Sequence, residues 1–225
     1  MITTVKAALA VTGSIGFPSK MPGTSYGIPA IACKVGAKLA KVAGSTCSGC
    51  YALKGNYTYP SVKTAQTRRL NGLDNPLWAQ AMAFLLRRYH GLDGRRKVHR
   101  KLKANGAGWH RWHDSGDIQS RAHLAAICAV ARATPEIRHW LPTREAALVA
   151  GFLRDGGTFP PNLTVRVSAT MVDGAPSRAF ANTSTVHSVG GIVGQACPAP
   201  QQDNECKDCR ACWRHDVANV SYHIH

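Results

Sequence analysis

The chain has 225 residues, 44% hydrophobic content and a formal net charge of +16, enough for one well-buried domain. No apolar run approaches the roughly 20 residues that span a bilayer, so no membrane partner is expected. Lys6 alone precedes a short apolar stretch with no convincing A-x-A-like site behind it, so the reading is no signal peptide, a cytoplasmic location and reduced thiols.

Residues 1–30 are rich in Gly, Pro, Ser and Thr and read as strands and turns, with a short strand over 25–33 ending at Cys33. Residues 34–60 read as loop with at most a short helix, punctuated by Gly36, Gly44, Gly49 and Gly55. A helix is expected over 61–72, capped by Ser61, and a better one over 76–90. There Asn75 suits the cap, Pro76 the first turn, and Leu77, Ala81, Phe84, Leu85 and Tyr89 recur at helical spacing.

From about residue 108 short strands alternate with helices. Strands are expected over 108–114, 137–142, 162–170, 184–189 and 219–225; helices are expected over 120–134, capped by Ser120, and 143–157, with Gly156 at the end. Such alternation argues for a parallel sheet or a partial (β/α) barrel; the expectation is a single α/β domain over 1–225, a partial barrel with loop-bound cysteine clusters. A turn-rich start covers 1–60, a β/α core 61–190 and a Cys-rich segment with the last strand 191–225. Chemistry in such folds lies at the carboxyl ends of the strands.

Seven of eight cysteines fall in two groups: Cys33, Cys47 and Cys50, then Cys197, Cys206, Cys209 and Cys212. Three cysteines each two residues apart wrap readily around one face of a cubane cluster, and Cys197 completes four thiolates for [4Fe–4S]. Zinc is the alternative, with Cys47–Cys50 and Cys209–Cys212 as paired ligands, although this leaves Cys33, Cys197 and Cys206 unexplained. If the first group binds a cluster, one iron lacks a protein thiolate and is free to take a small molecule. Cys128, inside the apolar run LAAICAVA, reads as a core residue. Trp213 reads as apolar cover for the second group.

The ordered motifs are C-S-G-C-Y-A at 47–52, W-H-D-S-G-D at 112–117, W-L-P-T-R-E at 140–145, R-V-S-A-T at 166–170, C-K-D-C-R-A-C-W at 206–213 and Y-H-I-H at 222–225. Together they resemble the phage "gene product 88" family of uncharacterised proteins, from about residue 20 to the end. If phage-encoded, the protein would act in the host cytoplasm. More distantly the chain resembles radical S-adenosylmethionine (SAM) enzymes, which carry an open-iron [4Fe–4S] cluster early in a partial (β/α) barrel and often a second near the end. That resemblance implies SAM as a cofactor and places Ser115, Gly116 and Asp117 where such enzymes hold its amino group. The spacing departs from the usual C-x3-C-x2-C, since this chain has C-x13-C-x2-C.

Arg111, His113, Asp117, Arg144 and Arg166 are candidate catalytic residues, because charged groups at a barrel mouth are costly unless paired into a site. Strand alternation puts Arg111 and His113 on one face, and His110 and Trp112 on the other. His187 is a lesser candidate near the second cluster, as are His215, His223 and His225. The run 87–103 carries Arg87, Arg88, Arg95, Arg96, Lys97, Arg100, Lys101 and Lys103 against one acid, a patch that attracts nucleic acid or another polyanion. Two functions follow. One is an iron–sulfur redox or radical-type enzyme working at the open-iron cluster. The other is a basic nucleic-acid-binding protein whose Fe–S or zinc sites are structural.

Overall fold

The computed structural model describes residues 1–94, 97–103 and 105–224. Its centre is an open, all-parallel sheet of β1 (Thr24–Tyr26), β2 (Trp109–Trp112), β3 (Arg138–Thr143), β4 (Leu163–Val172), β5 (Thr183–His187), β6 (Gln195–Ala196) and β7 (Asn219–His223), in the order β1-β2-β3-β4-β5-β7-β6. The α/β reading holds, with β1 and β6 as the two edges. A barrel is not confirmed, and the swap of β7 inside β6 departs from a simple sequential winding.

The helices are α1 (Val5–Thr12), α2 (Val35–Leu39), α3 (Pro60–Gly72), α4 (Trp78–Tyr89), α5 (Arg121–Ala133) and α6 (Ala146–Arg154). α1 was not expected. Thr4 caps it by accepting from the Ala7 amide at 3.1 Å, and Gly13 ends it at φ 79°. The strand expected over 25–33 is shorter, because Pro29 starts a 3-10 turn that ends at Cys33. The α5 cap is as read: Ser120 Oγ accepts from the His123 amide at 3.0 Å.

Right-handed crossovers decide what covers each face. β1 to β4 advance in one direction, so their connections stack on one side. There Trp78, Met82, Leu85, Leu86, Leu124, Ile127, Val149, Trp112, Leu141, Leu163 and Val165 form the main core. The β6-to-β7 connection steps backward, and a right-handed step backward lies on the opposite side. That connection is the Cys-rich segment. It packs Ala211, Cys212 and Trp213 against Trp140 and Val220 on the face that carries none of the α-helices, the helix-free face.

Besides His187 in β5, five histidines are buried on the helix side of the sheet: His90, His110, His113, His123 and His139. Thr24 Oγ1 pairs with His90 Nε2 at 3.0 Å and His110 Nδ1 at 2.8 Å, and His139 Nε2 pairs with Thr134 at 2.9 Å. Burial pushes His90 and His123 down to about 4 and His139 to about 3, and holds His110 and His113 well below the usual range.

Candidate functional site

The first cysteine group lies across the carboxyl ends of β1 to β4. Three contacts hang its loop there. Glu145, after β3, accepts from the Lys34 and Val35 amides at 3.2 and 2.8 Å and so fixes the chain just past Cys33. Thr46 bonds to the Thr170 carbonyl at the end of β4. The Tyr51 hydroxyl donates to the Asp114 carbonyl, after β2, at 2.6 Å. Ser45 Oγ accepts from the Cys47 and Ser48 amides and shapes the turn that presents Cys47.

Cys33 and Cys47 face the same glycine. A Cβ added at Gly36 would stand 3.5 Å from the Cys33 sulfur and 3.7 Å from the Cys47 sulfur. Burial, with the nearby charges of Asp117, Cys50, Cys47 and Glu145, pushes the Cys33 thiol up to about 12. Burial also raises Cys47, partly offset by the Arg144 guanidinium.

The second group sits on the helix-free face. Cys197 bonds through its amide to the Ser221 carbonyl, and Cys206 to the Lys20 carbonyl. The Cys212 sulfur lies 3.1 Å from the Tyr222 hydroxyl, and burial pushes that thiol up to about 12. Trp213 is buried edge-on to Trp109 and Trp140, and its indole donates to the His110 carbonyl at 2.9 Å. All eight cysteines are free thiols. Among the described residues, no group of three or more His, Cys, Asp or Glu side chains is arranged to hold a metal ion.

The other candidate residues have different placements. Arg166 is fully buried and donates to the carbonyls of Cys212, Thr183, Ala218, Ala211 and Arg214 at 2.7–3.3 Å. Every guanidinium N–H is thereby used, and Arg166 acts as the clip that holds the Cys212 segment to β4. The Asp117 carboxylate accepts from the Ile118 amide and, across to the next loop, the Arg144 amide, both at 2.8 Å. Burial still pushes it up to about 6. Arg144 donates through Nε to Thr46 at 2.8 Å. Ser115 Oγ donates to the Ile28 carbonyl at 2.6 Å and accepts from Gln66. Gly116, at φ 76°, lies so close to Ile28 that a Cβ would stand 2.3 Å from its side chain.

Arg111 and His113 are not on one face, contrary to strict alternation. His113 adopts φ 51° and turns its ring to the helix side, 5.3 Å from His123. Arg111 stays on the helix-free face, its guanidinium 4.6 Å above Trp140. His187 pairs with Ser221 at 2.7 Å on the helix side, away from Cys212. His215 reaches the Pro161 carbonyl, and His223 packs against His187. His225 lies outside the described residues.

In the basic run, Arg87 pairs with Glu136, Arg88 with Asp93 and Lys103 with Glu205. Lys97, Arg100 and Lys101 are exposed. Arg95 and Arg96 lie outside the described residues. No helix among the described residues is long and apolar enough to cross a membrane.

Sequence reasoning missed Glu145, Ser45 and Gly36 as parts of the first cysteine site. Glu145 stood in the T-R-E motif after a strand, which marks a strand-end loop but not the amides it would bind. Neither the curated proteins nor the solved structures hold a match to this chain. The family described as Gene product 88 matches residues 2–215. With nearly its whole length matched, the chain belongs to the Gene product 88 family of phage proteins.

Proposed function

We propose that the protein is an iron–sulfur protein, acting as a redox or radical-type enzyme at an open-iron [4Fe–4S] cluster held by Cys33, Cys47 and Cys50. Cys197, Cys206, Cys209 and Cys212 would hold a second, fully ligated cluster. The observation that carries this reading is the placement of three free thiols, with no fourth, on the loop after β1 at the carboxyl edge of a parallel sheet. The donor chemistry fits: both groups are soft sulfur ligands that would release protons on binding metal, and burial raises Cys33, Cys47, Cys197, Cys206 and Cys212 among them. The thiols do not enclose an ion as they stand, so binding requires each group to close in. The glycine at position 36 leaves the first group room to do so.

When bound, an open-iron cluster supplies one-electron chemistry at an iron with a free coordination position. The chain's own residues do the positioning. Glu145 pins the segment beyond Cys33, and Asp117 ties the loops after β2 and β3 together. SAM is the ligand the distant resemblance implies. Ser115 and Gly116 are taken up in joining the ends of β1 and β2, so the remaining lone pairs of Asp117 are the acceptors left for an ammonium group. The radical-SAM-like partial barrel is part of this same proposal, supported by the sequential parallel order of β1 to β5.

Oxygen-free purification followed by iron and acid-labile sulfide analysis tests the proposal. About eight irons per chain are expected, falling by about half in Cys47→Ser. Stoichiometric zinc without sulfide would overturn it. An unchanged EPR spectrum on adding SAM would remove the SAM part alone.

A second reading, nucleic-acid binding with structural metal sites, is favoured by the exposure of Lys97, Arg100 and Lys101. It is weakened by the ion pairs that engage Arg87, Arg88 and Lys103 of the same run. Affinity for DNA or RNA should fall steeply with salt if it holds.

A further inference from the structure

Arg111 on β2 and Arg166 on β4 project from the same helix-free face on either side of β3, and their surroundings differ. Arg166 gives every N–H to a carbonyl. Arg111 gives Nη2 to the Tyr51 hydroxyl at 3.2 Å and Nη1 only to the Met21 sulfur at 3.8 Å. Its Nε is buried without a hydrogen-bond partner. None of the ion pairs among the described residues involves it.

The guanidinium is also held in place. It lies 4.6 Å above the Trp140 ring, which in turn packs against Trp213. An arginine stacked on an aromatic face has its plane fixed and its N–H edge preoriented. Arg111 is half-buried and feels the Asp114 carboxylate without forming an ion pair with it, so its unused donors are left to meet an added oxyanion. Its open end points toward Tyr51, which is 45% exposed. Tyr51 follows Cys50, while the Arg111 charge is felt at Cys206 of the other group. The residue therefore stands between the two cysteine groups, with access from the first.

We propose that Arg111, stacked on Trp140, is the anchor for the oxyanion of a small-molecule ligand, a carboxylate or a phosphate, bound on the helix-free face beside Tyr51. The fork of a guanidinium matches two oxygens of either group. The site does not depend on whether the cysteines carry iron, since none of its donors is a thiol.

The test uses the full-length protein at constant ionic strength, set with chloride. Inorganic phosphate and acetate are titrated separately, following tryptophan fluorescence and melting temperature. A saturable response to one of them is expected, and which one it is names the oxyanion. Arg111→Met should weaken that response at least tenfold and Arg111→Lys should weaken it less, because an ammonium keeps the charge and loses the fork. Arg210→Met removes the guanidinium that lies 5.2 Å over Trp109 and should leave the response intact. If Arg111→Met fails to fold, Tyr51→Phe, which removes the hydroxyl beside the guanidinium along with its bond to the Asp114 carbonyl, should shift the affinity. No saturable response to either anion, or an equal response in Arg111→Met, would overturn the proposal. Iron content measured on the same samples keeps this result separate from the cluster reading.

Discussion

Replacing Arg166 by Met should be among the most damaging single changes in this chain. The side chain is fully buried and satisfies the carbonyls of Ala211, Cys212, Arg214, Thr183 and Ala218. A hydrogen bond from a charged donor contributes about 1.5–3 kcal/mol net to stability. The five share one group and are not additive, and the buried charge carries its own desolvation cost. A loss of about 3–5 kcal/mol is the consistent expectation, set against a total stability of about 5–15 kcal/mol for a domain. Arg166→Lys offers three donors instead of five and should fall between. Urea unfolding measures the loss as a lower midpoint at unchanged slope. Trypsin supplies a local readout, since Lys207, Arg210 and Arg214 flank the clipped segment and should be cut first in the Met variant. A loss below about 1 kcal/mol, with no faster cleavage at 207–214, would refute the clip.

Stability should fall with acid. The buried histidines have folded pKa values below the 6.5 of the free side chain, at about 4 for His90 and His123 and about 3 for His139. The unfolded chain therefore takes protons first, and their contribution is intact above pH 6.5 and lost as pH drops toward 4. Each costs about 1.4 kcal/mol per pH unit in that window. Asp117, raised to about 6, has the opposite sign but is one group against five; a melting temperature that does not change between pH 7 and 5 would contradict this account. Gly116→Ala combines a left-handed φ with a Cβ 2.3 Å from Ile28 and should cost about 2–4 kcal/mol, read by thermal unfolding; a cost under 1 kcal/mol would mean the loop gives way freely. Glu145→Ala frees the Lys34 and Val35 amides and removes one of the charges that raise Cys33. Cys33 should then react faster with a thiol reagent under native conditions, and an unchanged rate would argue that Glu145 does not hold that segment.

Local signals were enough for much of this chain. Helices α4 to α6 and strands β2 to β5 and β7 follow from apolar periodicity, β-branched runs and caps such as Ser120, because these act within a few residues; α3 was expected with Ser61 as its cap but starts at Pro60 after Tyr59, with no side-chain cap. The grouping of the cysteines into three and four is likewise visible in their spacing. α1 escaped because its Gly- and Ser-rich surroundings masked a short helix whose apolar side is completed by α4. The flip of His113 escaped because one left-handed residue breaks alternation without any pattern to announce it. The division of labour between the two arginines was decided only in three dimensions. Arg111 and Arg166 are equivalent in the sequence, each an arginine in a strand. The backward crossover from β6 to β7 lays the Cys212 segment over Arg166 and saturates it with carbonyls, while Arg111 meets an indole ring and a tyrosine and keeps donors to spare. Hydrogen-bond partners brought from 45 or more residues away belong to topology, and no local reading of composition or spacing contains them.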